Sequence, residues 1–179
     1  MLGAVVALAV LVADQVSKWA ILTRVYRFEP PIGPDAWHPP IEITGFFNLV
    51  MVWNRGVSFG LFATESDATR WMLIGVASVI AAALAVWLWR ARERFLGVVL
   101  GAVIGGAIGN VIDRLRFGAV ADFFDVHVAG WHWPAFNIAD GAISVGIAAL
   151  VLHSVFEGRE RPEGAGREDG GAGPRAPKA

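Results

Sequence analysis

Asp122 and Asp140 are the residues whose types and spacing point most directly to chemistry. They flank a single connection between two apolar segments. Two carboxylates held together in a dry site do not readily both ionise, so one keeps a proton while the other acts as a base. Activating water against a peptide carbonyl needs that division of labour. Each residue also has an ordinary explanation. With Asn137 as N-cap, Asp140 falls at the third helical position, where an acid stabilises the helix start. Asp122, taken alone, reads as a solvated loop acid.

The elements that must position this pair are apolar. The chain of 179 residues is 55 % hydrophobic and 17 % charged, with mean hydropathy +0.53, above a typical soluble composition. Four segments are long enough to cross a bilayer, which takes about 20 helical residues. They run from about Leu2 to Leu22, Ala68 to Trp89, Phe95 to Leu115 and Asn137 to Phe156. The first lacks a basic leading region and carries Asp14 and Lys18 inside its apolar run, so it reads as a retained helix rather than a cleaved signal peptide. Residues 1–157 form the membrane domain. Residues 158–179, rich in Gly, Pro, Arg and Glu, read as a disordered cytoplasmic tail.

Basic residues mark the cytoplasmic side. Arg90, Arg92 and Arg94 crowd the short link between the second and third helices, and the tail adds Arg159, Arg161, Arg167, Arg175 and Lys178. Both termini are therefore expected inside, and the connections 23–67 and 116–136 outside. Residues 41–56 and 120–128 are rich in β-branched and aromatic side chains, broken at Gly45, Asn54-Arg55-Gly56 and Ala129-Gly130. They predict a small extracytoplasmic β-sheet on the outer surface of an all-α, four-helix membrane protein. Trp37, Trp53, Trp131 and Trp133 are expected near the lipid headgroups.

Gly97, Gly101, Gly105 and Gly109, with Gly106 beside them, lie at a spacing of four. One helix face is thereby opened to a neighbouring backbone. Ionisable groups at membrane depth cost roughly 2.5–3.5 kcal/mol each on insertion scales, so each needs a partner or a purpose. Asp14 and Lys18 are placed to pair along one helix face. Asp113 and Arg114 are adjacent and must find different partners. Arg114 could hold a substrate carbonyl, a lipid headgroup or the outer loops.

Four blocks together resemble the lipoprotein signal peptidase (signal peptidase II) family over residues 5–155. They are Asp14-Gln15-Val16-Ser17-Lys18, Asn54-Arg55-Gly56-Val57-Ser58-Phe59-Gly60, Gly105 through Arg114, and Val120-Ala121-Asp122-Phe123 followed by Trp133 through Asp140. The resemblance implies that Asp122 and Asp140 are catalytic aspartates and that Asn54, Asn110, Arg114 and Asn137 line the substrate site. It places Asp14 and Lys18 on the family's first-helix pair, and Asp113 is read with them as structural support. The implied reaction is metal-free and cofactor-free hydrolysis just before a diacylglyceryl-modified cysteine, in the bacterial inner membrane. The implied partners are diacylglyceryl-prolipoproteins, membrane lipids and inhibitory cyclic peptides of the globomycin type.

Other classes fit less well. A net charge of −1 and the lack of a basic stripe give no footprint for nucleic acid. With no cysteine, thiolate metal sites and cysteine nucleophiles are excluded. Asp125, His127 and His132 are close in sequence but lack HExxH spacing. Ser17 and Lys18 are helical neighbours and face apart. A transporter would predict paired broken helices or an internal repeat, and neither is present.

Overall fold

The computed structural model of the protein describes residues 1–56 and 67–159. Four long helices cross the expected stretches. Helix α1 (Leu2–Ala20) continues as a π-helical turn through Ile21–Val25, and is followed by α2 (Asp67–Arg90), α3 (Arg94–Phe117) and α4 (Ile138–Arg159). Their apolar spans are Leu2–Val25, Asp67–Arg90, Arg94–Phe117 and Ile138–Phe156, each end within a turn of its expected place. Gly158 and Arg159, assigned to the tail by composition, continue α4. The rest of the tail, and Val57 through Gly60 of the second block, lie outside the described residues.

Helix α3 is the centre of the bundle: 61 % of its apolar window is buried, against 11–17 % for the other three. Its glycines explain the close packing. A Cβ on Gly101 would strike the Gly3 carbonyl, and one on Gly105 the Ala7 carbonyl, both on α1. One on Gly106 would lie 2.6 Å from the Ala139 carbonyl of α4. Gly109 sits between both neighbours, its virtual Cβ 2.5 Å from Asp14 Oδ2 and 3.6 Å from Ala139 Cβ. Gly97 is looser, with nothing nearer than 3.9 Å. The ladder is thus tight at Gly101, Gly105, Gly106 and Gly109, and open only at the Gly97 side-chain position.

At that end the connections form one antiparallel sheet in the order β1 (Ile41–Thr44), β2 (Phe47–Asn54), β3 (Val120–Val128) and β4 (Trp131–His132). Gly118, at φ +81°, closes α3 by donating its N–H to the Arg114 carbonyl, and β3 starts two residues later. Strand β3 pairs with β2 through Val52–Asp122 and Asn48–Asp125, with a register shift between Leu49 and Val52. Leu22, Tyr26, Met51 and Ala121 form a core that joins the sheet to α1.

One of the four tryptophans in the two long connections is less exposed than the others. Trp37, Trp131 and Trp133 are exposed, but Trp53 is half-buried, its ring centroid 5.5 Å from that of Phe117 and its Nε1 donating to the Ala36 carbonyl. An indole that finds both an apolar wall and an acceptor within the protein has no need of the headgroup layer.

Candidate active site

The first turn of α4 is built by a reciprocal cap. Asn137 Oδ1 accepts the Asp140 N–H at 2.9 Å, and Asp140 Oδ2 accepts the Asn137 N–H at 3.3 Å, the two-way arrangement of a capping box. The ordinary role of Asp140 is therefore present in the structure. It leaves Asp140 Oδ1 to accept from Asn110 Nδ2 of α3 at 2.8 Å, and the carboxyl remains half-buried.

Asp122 is not a solvated loop acid. It is 1 % exposed, because the short turn at Gly118 folds β3 back beside the end of α3 and the start of α4. Asn137 Nδ2 donates to Asp122 Oδ1 at 2.6 Å, and Asn54 Nδ2 of β2 donates to Oδ2 at 3.1 Å. Asn54 is itself fixed, its Oδ1 accepting the Gly56 N–H at 3.0 Å. Asp140 lies close enough for its charge to act on Asp122. Burial first, and then the neighbouring charge of Asp140, push the Asp122 carboxyl well above the usual carboxylate range; the bond from Asn54 and the charge of Lys18 pull the other way. Two carboxyls bridged by one asparagine, one of them buried, are the arrangement in which a carboxyl resists ionisation.

Beneath the pair lies a charged network. Lys18 Nζ is 2.8 Å from Asp14 Oδ2 and 2.8 Å from Asp113 Oδ2, all three side chains being buried. Gln15, which the sequence reading left without a role, donates to Asp113 Oδ1 at 3.0 Å and to Asp14 Oδ2 at 3.2 Å. A polar amide in an apolar span was the signal that could have found it. Lys18 also lies 3.4 Å from Asn110 Oδ1, the other end of the amide that serves Asp140.

Asp113 and Arg114 do find different partners. Arg114 Nη2 donates to the Gly56 carbonyl at 2.7 Å, so this guanidinium holds the loop after β2. Its buried Nε has no hydrogen-bond partner among the described residues. Arg70 of α2 was not anticipated: its Nε and Nη2 donate to the Arg114 and Leu115 carbonyls at 2.7 and 3.0 Å. A cation bound to the last carbonyls of α3 complements the helix dipole and fixes the end from which Arg114 projects. Nothing local in the sequence marks a contact of that kind.

The remaining candidates fall elsewhere. Asp125 is three residues along β3 from Asp122 and has its own partners, Asn48 Nδ2 at 2.9 Å and His132 Nδ1 at 2.9 Å. Burial pushes its carboxyl up, but the bonds from His132 and Asn48 and the His132 and His127 charges outweigh that and leave it below the usual range. His127 stacks on His132 with centroids 4.8 Å apart. Among the described residues no three His, Asp or Glu side chains converge as a metal site. Ser17 Oγ donates to the Asp14 carbonyl, while Lys18 turns to the carboxylates.

Comparison with known proteins identifies the family. Residues 6–156 match the family described as Signal peptidase (SPase) II. The chain is 42 % identical to a lipoprotein signal peptidase of Methylobacterium sp. (strain 4-46), over 94 % of this chain and 97 % of that one. It is 46 % identical to a lipoprotein signal peptidase of Rhizorhabdus wittichii, over 87 % and 86 %. A solved bacterial membrane enzyme superposes with TM-score 0.72 at 25 % identity, covering 92 % of this chain and 94 % of that chain. With its four apolar helices, its small sheet and a family match over most of its length, the chain belongs to the signal peptidase II family.

Proposed function

We propose that this protein is a membrane aspartic endopeptidase that removes the signal peptide from diacylglyceryl-modified prolipoproteins, cutting just before the lipidated cysteine. The observation that carries the reading is the placement of Asn137: one side chain donates to Asp122 and caps Asp140, so the two carboxyls sit at one site.

The chemistry follows from that pair. The ionised carboxyl takes a proton from water, and the resulting oxygen nucleophile attacks the scissile carbonyl carbon. The protonated carboxyl donates toward the developing oxyanion. When the tetrahedral intermediate collapses, the C–N bond breaks and a proton passes to the leaving amine of the cysteine. The dyad titrates as a unit. Arg114 Nε, buried without a described partner, and Asn54 are placed to orient the peptide. Asn110 and Asn137 hold the carboxyls in register. The diacylglyceryl chains stay in the bilayer between helices, and only the peptide enters the polar site. A globomycin-type cyclic peptide would occupy the same cleft. No metal or organic cofactor takes part in these steps.

The arginines of the α2–α3 link support a cytoplasmic position for that end and for both termini, with the sheet and the dyad facing outward from the inner membrane. A cytoplasm-sensitive reporter fused after Arg92 should be active and one inserted near Asp35 silent; the reverse would overturn this orientation. The decisive experiment compares Asp122→Asn, Asp140→Asn and the double variant with wild type in detergent on a lipidated prolipoprotein. Each single change should abolish release of the signal peptide about as fully as both together, because members of one catalytic unit are not additive. A well-folded single variant that cleaves near the wild-type rate would end the aspartic-peptidase reading.

A further inference from the structure

The end of the bundle opposite the sheet holds a feature the proteolytic site does not use. Where α1 begins and the α2–α3 link turns back, a groove of about 470 Å3 lies among Leu2, Gly3, Leu88, Trp89, Arg92 and Arg94. Its floor is tightly packed: a Cβ on Gly3 would lie 2.5 Å from both the Gly97 carbonyl and Leu88 Cδ1. Its wall is apolar, and Trp89 is 91 % exposed there. Its rim is cationic. Arg92 and Arg94 are exposed, and the ion pairs among the described residues engage neither of them. Glu93, the acid between them, also lines the groove, but its carboxylate lies 3.2 Å from His153 Nε2 of α4.

We propose that this groove binds one anionic phospholipid, with its phosphate held by Arg92 and Arg94 and an acyl chain laid along Leu88 and Trp89. Charge complementarity selects the headgroup. Two planar guanidinium groups suit phosphate oxygens, and a zwitterionic headgroup would bring its own ammonium to the same cationic rim. The apolar wall, at the end of membrane-spanning helices, selects a lipid over a free anion. Basic residues beside the end of a span are where anionic headgroups collect. This site is independent of the dyad at the other end of the bundle.

The test is native mass spectrometry of the full chain in detergent, titrated with equimolar phosphatidylglycerol and phosphatidylcholine. Wild type should retain one phosphatidylglycerol about tenfold in preference to phosphatidylcholine. R92Q and R94Q should each cut that preference severalfold, and R92Q/R94Q should remove it. The single variants keep two of the three link arginines, so they report even where the double variant does not insert; gel filtration and thermal unfolding check that they are folded. Equal retention of the two lipids by wild type, or an unchanged preference in folded R92Q and R94Q, would overturn the proposal. So would displacement of phosphatidylglycerol by equimolar inorganic phosphate, which would make this an anion site without lipid selectivity.

Discussion

Asp14 Oδ1 accepts the backbone N–H of Ala139 at 3.0 Å, which ties the first membrane helix to the residue immediately before Asp140. Asp113 does the same for the other aspartate, its Oδ2 accepting the Ala121 N–H at 3.2 Å, immediately before Asp122. The two supporting carboxylates meet at Lys18 Nζ, 2.8 Å from each. A single ammonium therefore balances two buried charges, and each of those charges holds the backbone that presents one member of the dyad. The proposed catalytic pair is positioned through main-chain amides as well as through asparagine side chains.

Removing that ammonium should be costly. In Lys18→Met the side chain still fits an apolar span, but Asp14 and Asp113 are left buried without their shared cation. Losing one partner of a buried ion pair costs about 3–5 kcal/mol. Thermal unfolding in detergent should show Lys18→Met less stable than Asp113→Asn, which leaves the Lys18–Asp14 pair intact. Equal melting of wild type and Lys18→Met would show that Lys18 does not balance these carboxylates.

Much of this arrangement was legible in the sequence, and the part that was not has a common cause. Runs of apolar residues of bilayer length marked the four helices, and β-branched stretches broken at Gly45 and at Ala129-Gly130 marked the strands. The spacing of Asn137 and Asp140 announced a cap, because capping is local. Asp122 was ambiguous, since its burial depends on β3 folding back beside two helix ends. The Asp14–Ala139 bond, the Gln15 bridge and the Arg70 clamp on α3 join residues far apart in the chain. Two of these contacts end on main-chain atoms, which carry no residue-specific signature. The Trp53 contact is hidden for a related reason: its acceptor is a backbone carbonyl in a loop, at Ala36.

The glycine ladder should divide into tolerant and intolerant positions. At Gly97 a methyl group meets only Leu88 Cδ1 at 3.9 Å and Gly3 N at 4.0 Å, so Gly97→Ala should be neutral or stabilise by up to ~1 kcal/mol through helix propensity. At Gly101 the same methyl would collide with the Gly3 backbone, which has no side chain to rotate away. Gly101→Ala should therefore destabilise by about 1–3 kcal/mol. Thermal unfolding of the two variants side by side checks this, and equal effects would show that the ladder is a single uniform face.

Asp125→Asn should keep substantial peptidase activity, since Asp125 bonds to Asn48 and His132 and not to the dyad. Its effect belongs to stability and has a definite pH sign. The folded-state carboxyl titrates below its ordinary range, so its ionised form stabilises the fold above the unfolded value of ~3.9. That contribution is lost as pH falls through the depressed folded value. Wild type should be more stable than Asp125→Asn near neutrality, with the gap narrowing as pH drops below about 4. A gap that stays constant across that window would show that the carboxylate form contributes nothing specific.

Asn137 offers a way to separate the local role of the site from its catalytic one. Its Oδ1 caps α4 at the Asp140 N–H, while its Nδ2 reaches Asp122 at 2.6 Å. Serine caps about as well as asparagine but has no amide to extend to Asp122. Asn137→Ser should therefore lose about 1–3 kcal/mol for the buried acceptors left without their donor, whereas Asn137→Ala should lose about 1 kcal/mol more as the cap goes. On activity the two should behave alike: each removes the donor that holds Asp122, and kcat/KM should fall by roughly 10–100-fold, the scale of a misplaced catalytic group. The loss should appear in kcat rather than in KM, because the peptide cleft is untouched. If Asn137→Ser kept both its stability and its full rate, Asn137 would be a helix cap alone, and the bond between Asn137 and Asp122 would have no part in catalysis.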